Sequence, residues 1–144
     1  MKSKTTLVKT IFLLLILFSL PAISQQKVGI FESHGDIGKN VKPGTATFVP
    51  QTQQYIVSGA GYNIWFDHDE FHYAWKRIKG DFILYTRGEL VGMSGVEAHR
   101  KLGWMVRKTL EGNSAQISAA THGDGLTSLQ FRRTTAAVTE EHKF

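Results

Sequence analysis

The chain of 144 residues has no cysteine and only three prolines. Without cysteine there is no disulfide framework, thiolate nucleophile, Cys-built zinc or iron–sulfur centre, or lipidated thiol anchor. Stability must therefore come from noncovalent packing. Long apolar runs are almost absent as well. The one exception follows Lys2, Lys4 and Lys9, runs from Ile11 to Phe18 and ends at Ser19-Leu20-Pro21. A charged start, a short apolar stretch and then small residues, Ala22 and Ser24, make the tripartite pattern of a secretory signal peptide. Residues 1–24 are read as that signal and 25–144 as one domain. The run is shorter than the roughly 20 residues a spanning helix needs, so no stable membrane span is expected after cleavage. The expected location is periplasmic or secreted.

Charge of one sign is also scarcer than the totals suggest. Seventeen Lys and Arg against twelve Asp and Glu give a formal +5, but three of the lysines lie in the leader. The remaining fourteen bases leave only +2, and they are interspersed with acids: Lys76, Arg77, Lys79, Arg100 and Lys101 sit among Asp67, Asp69, Glu70, Asp81 and Glu97. No stripe exists that would follow a phosphate backbone, so no nucleic-acid partner is expected.

What is present is alternation. Beyond residue 25, apolar residues recur with a period of two, and turn residues punctuate them every 8 to 12 positions, as in an antiparallel β-sandwich. Residues 45–49 and 54–58 predict a hairpin across Pro50-Gln51-Thr52-Gln53. Residues 82–91 predict a strand with Phe82, Leu84, Thr86, Gly88 and Leu90 on one face. Residues 100–108 predict another, with Leu102, Trp104 and Val106 on one face and Lys101, Gly103, Met105 and Arg107 on the other. Residues 115–121 and 126–132 flank His122-Gly123-Asp124-Gly125, a turn in which glycine supplies positive φ. The His122 imidazole is expected to cap that turn. Residues 69–77 carry Phe71 and Trp75 at helical spacing, yet Phe71, Tyr73 and Trp75 also alternate, and the aromatic content favours a strand.

Catalytic patterns are missing. Around Asp67-His68-Asp69-Glu70-Phe71-His72 the Glu stands two residues after His68, which breaks the His-Glu-x-x-His zinc motif. No Gly-x-Ser-x-Gly elbow, Gly-rich phosphate loop or Glu-x-Asp-x-Glu strand occurs. The chain is therefore read as non-enzymatic, with no cofactor and no metal site. Asp67 and Asp69 alone do not complete a calcium shell of six to eight oxygens, and the stretch reads as a solvated acidic loop. Aromatic rings are the remaining lead, because exposed rings beside acids stack on sugars while the acids accept hydroxyl hydrogen bonds. Trp75 and Trp104 read as core. Tyr62 and Trp65, with Asp67 and Asp69, are the candidate ligand-binding residues.

Five blocks in order carry a resemblance. They are residues 29–38; Tyr55-x-Val57-Ser58-Gly59-x-Gly61-x-Asn63-x-Trp65-Phe66-Asp67; Gly80-Asp81-Phe82; Gly103-Trp104-Met105-Val106-Arg107; and residues 122–133. Together they resemble the N-terminal concanavalin A-like, DUF1349-like domain of exported TolB-like propeller proteins of Bacteroidetes. That resemblance implies an exported, non-catalytic concanavalin A-like jelly roll and supplies no catalytic residue. It also implies further strands and a propeller beyond the position of Glu140-Glu141, so the sandwich is expected to be incomplete at its C-terminus, with open sheet edges available to a protein partner. The expected role is binding of a glycan or cell-envelope polymer. The alternative is a structural domain packed on a propeller or envelope partner, and a carbohydrate-active enzyme ranks third.

Overall fold

The computed structural model describes residues 26–92 and 97–144; the leader read from the sequence lies outside them. The described chain is all-β and antiparallel, with no helix. Its strands are β1 (Ser33–Ile37), β2 (Thr45–Val49), β3 (Gln54–Ser58), β4 (Phe71–Trp75), β5 (Lys101–Arg107), β6 (Gln116–His122), β7 (Thr127–Arg132) and β8 (Glu140–Lys143). They form a β1–β4 ribbon, a β2–β3 hairpin and a four-stranded sheet in the order β5-β6-β7-β8.

The predicted hairpin forms with Thr45 opposite Ser58, and Gln53 takes the positive φ that the four-residue connection requires. Residues 71–75 are strand rather than helix. Tyr73 stacks on Trp75, with ring centroids 5.9 Å apart, and donates its hydroxyl to the Met105 carbonyl at 2.7 Å. This contact ties the ribbon to the sheet.

The ribbon's register is fixed by a polar chain. Asp36 lies directly opposite His72, whose Nδ1 donates to the carboxylate at 2.7 Å. His72 Nε2 is then left to accept from His34 Nδ1 at 3.0 Å. Gly44 and Gly59 pack against the His72 side chain, bringing the hairpin onto this side of the ribbon.

Three expectations are corrected. Residues 82–91 join no sheet, and the run stays irregular between bends at Gly80 and Gly92. The His122 imidazole does not cap its turn. Asp124 closes that turn by accepting from the Leu126 N–H at 3.0 Å, and His122 points into the interior. The third correction concerns which face of the large sheet is covered. Leu102 and Val106 share a face, as the alternation predicts, and Ile117 joins them opposite Val106, but that face is open at all three residues, which are 36–44% exposed. The covered face holds Gln116, Ser118, His122, Ser128, Gln130 and Arg132. Buried apolar residues are few, and the interior is held by polar contacts as much as by packing.

Candidate functional site

The loop between β3 and β4, residues 59–70, carries all four candidate residues. Two inward anchors hold it. Ile64 is buried, with Asn63 accepting from the Ile64 N–H at 2.8 Å and from Lys101 Nζ at 2.6 Å. Asp69 is fully buried and accepts from Arg132 Nη2 at 2.7 Å and Nη1 at 3.0 Å. Arg132 also donates to the carbonyls of Phe66, Ser114 and Ala137 and to Thr139 Oγ1, and Arg107 approaches Asp69 at 3.4 Å. Asp69 is therefore the loop's internal anchor rather than part of a solvated acidic surface. An ion this deep requires a paired charge, and Arg132 supplies it.

Between the anchors the loop turns outward. Tyr62 is 76% exposed and Phe66 47%, and their rings lie nearly parallel, at 16° with centroids 6.3 Å apart. Asp67 stands beside them, exposed and bonded to His68 Nδ1 at 2.8 Å. That hydrogen bond, with one from its own backbone N–H, holds the Asp67 carboxyl below the ordinary carboxylate range, so it is a charged acceptor at neutral pH. The Trp65 side chain is half-buried, and the Trp65 carbonyl accepts from the Thr139 N–H. The structure thus leaves Tyr62 and Asp67 exposed on one loop, half-buries Trp65 and removes Asp69 to the interior.

Phe66 was not among the residues singled out from the sequence, although it stands four positions after Tyr62. A bent loop, not a regular period, is what aligns the two rings. Glu70 imposes the bend by accepting from the Tyr62 N–H at 3.1 Å while its own N–H donates to the Asn63 carbonyl at 2.8 Å. Among the described residues no group of three or more His, Asp or Glu side chains is placed to hold a metal ion, and Asp67 and Asp69 point to opposite environments.

A second polar cluster lies on the covered face of the large sheet. Gln130 Nε2 donates to Glu141 at 2.9 Å, which fixes the amide so that His122 Nε2, 3.4 Å away, is an acceptor and the imidazole proton sits on Nδ1. Burial and the nearby Lys101 ammonium push the His122 pKa below its ordinary value. The unfolded chain binds a proton at His122 near pH 6.5 while the folded chain resists it, so stability falls as pH drops below about 6.5 until the folded imidazole also titrates. His122→Gln is expected to flatten that part of the stability profile, read as the difference in melting temperature between mildly alkaline and mildly acidic buffers.

These features define an antiparallel all-β protein with a polar interior and an exposed aromatic loop. Comparison of the chain with family models, curated proteins and solved structures finds no match.

Proposed function

We propose that the protein is an exported, non-catalytic β-sandwich module that binds a glycan or another cell-envelope polymer on the outer surface of the 59–70 loop. The observation that carries this reading is the pair of nearly parallel, exposed rings of Tyr62 and Phe66 beside the charged Asp67. Two large rings are costly to leave in water, and they offer exposed apolar faces of one orientation. Sugar rings have apolar C–H faces that stack on such rings, and their hydroxyls donate to a carboxylate. The anchors at Ile64 and Asp69 hold the loop in place, so little order has to be imposed on binding.

Tryptophan fluorescence titrated with soluble glycans and peptidoglycan fragments tests the reading, with the half-buried Trp65 of the same loop as reporter. Binding is expected in the native protein. Tyr62→Ala and Phe66→Ala should each weaken it by roughly tenfold without lowering the melting temperature, because both rings are exposed. No response across the panel would overturn the glycan reading and favour a structural domain packed on a partner.

A further inference from the structure

We propose that residues 81–87 pair antiparallel with the same segment of a second copy of the chain, in a register centred on Leu84, and so form a symmetric dimer. The segment is a strand in pattern that has no paired strand among the described residues. Gly80 and Gly92, both at positive φ (86° and 109°), bend the chain at either end, and no turn or bend interrupts residues 81–91 between them. Leu84 and Leu90 are half-buried on the inner side, where Gly88 lies so close to Leu102 that an added Cβ would stand 2.6 Å from its Cδ2. The outer side carries Ile83 and Tyr85, 95% and 90% exposed. Among the described residues, no main-chain N–H or carbonyl of residues 82–91 bonds to another main-chain group. A run free of turns, with open backbone groups and an exposed apolar strip, is a template for strand addition.

The charges select the occupant. The run Asp81-Phe82-Ile83-Leu84-Tyr85-Thr86-Arg87 has an acid at one end, a base at the other and apolar residues between. In an antiparallel pair centred on Leu84, each Asp81 faces the other copy's Arg87 and each Ile83 faces the other copy's Tyr85. Opposite charges and an aromatic beside a β-branched residue are both favourable cross-strand pairs, and the symmetry makes each occur twice. A register centred on Arg87 would instead set like charges face to face. Neither Asp81 nor Arg87 makes an ion pair among the described residues, so both are available. The segment also adjoins the open apolar face at Leu102, so pairing continues a surface already short of cover.

Sedimentation or light scattering on the protein over a concentration series is the test. A monomer–dimer equilibrium is expected. Asp81→Arg and Arg87→Asp should each weaken it by roughly tenfold, since each sets like charges opposite one another twice. The double variant Asp81→Arg/Arg87→Asp should restore dimerisation. Both side-chain changes are on the exposed strip, and an unchanged thermal melt controls for folding. A protein that stays monomeric throughout, or a dimer indifferent to Asp81→Arg, or a double variant no better than the singles, would overturn the proposal. Either of the last two results would assign the association to another surface or register.

Discussion

Replacing Arg132 with alanine is expected to cost about 3–5 kcal/mol, the penalty for breaking a buried ion pair from one side. Total stability of a domain is only about 5–15 kcal/mol, so most or all of the fold is at stake. The guanidinium meets Asp69 through two nitrogens and also serves the carbonyls of Phe66, Ser114 and Ala137. Removing it takes the main partner from a fully buried carboxylate and leaves the Ser114 and Ala137 carbonyls without their side-chain donor, whereas Phe66 keeps Thr139. Arg107 Nη1 lies 3.4 Å from Asp69 and otherwise meets only the Met105 sulfur, so it keeps part of the charge compensation, but it does not replace the shorter two-nitrogen contact of Arg132. Lysine is not a substitute, because one ammonium cannot reach acceptors arranged around a planar fork. Urea unfolding of the native protein, Arg132→Ala and the double variant Arg132→Met/Asp69→Leu checks the cause. The double variant should be the more stable of the two, since it removes the stranded carboxylate together with its main partner, while Arg107 keeps the Thr109 and Glu111 carbonyls as acceptors. Equal stability of the native protein and Arg132→Ala would show that the pair contributes nothing.

Gly61→Ala is expected to carry the second largest effect, roughly 2–4 kcal/mol, as an overpacking change with no flexible neighbour to yield. A Cβ at this position would fall within the van der Waals radius of the Glu70 main-chain carbonyl and close to Asn40 Oδ1. The Asn40 side-chain amide in turn donates to the Phe71 carbonyl, so the obstruction is a main-chain carbonyl with a tethered side chain beside it. Relief requires the 59–70 loop to lift away from the start of β4. Tyr62 is the next residue, and its N–H bond to Glu70 would be lost with that movement. The variant should therefore lose both thermal stability and the glycan response, whereas Tyr62→Ala loses only the response. A Gly61→Ala protein that melts like the native one would show that the loop accommodates the methyl.

Much of the local structure is legible in the chain. The 45–49 and 54–58 hairpin is predicted to the residue, since Pro50 ends the first strand and alternation marks the second. The turn at residues 122–125 and the strands flanking it follow from glycine placement in the same way. β1 and β8 are not legible, because Ser33-His34-Gly35-Asp36-Ile37 and Glu140-Glu141-His142-Lys143 carry little apolar signal. Their pairing depends on β4 and β7, far away or across a loop. The candidate site is partly legible. Tyr62 and Asp67 stand out as an aromatic and an acid beside a glycine break, but Phe66 joins them only through the bend that Glu70 imposes.

By itself the sequence determined the class of fold, the period of its strands, most of its turns and the residues that share a face. These properties depend on neighbours a few positions apart, through φ preference and the two-residue repeat. It could not decide which face of a strand is covered, or whether a strand-like run finds a partner. Leu102, Trp104 and Val106 alternate onto one face and Trp104 reads as core, yet the opposite face is buried, because Asp69, 63 positions before Arg132, closes over the polar side and meets it there. Residues 82–91 read as a strand, yet no main-chain partner stands beside them among the described residues. A ladder needs a second backbone and a buried charge needs its counter-ion. Only the tertiary arrangement supplies either.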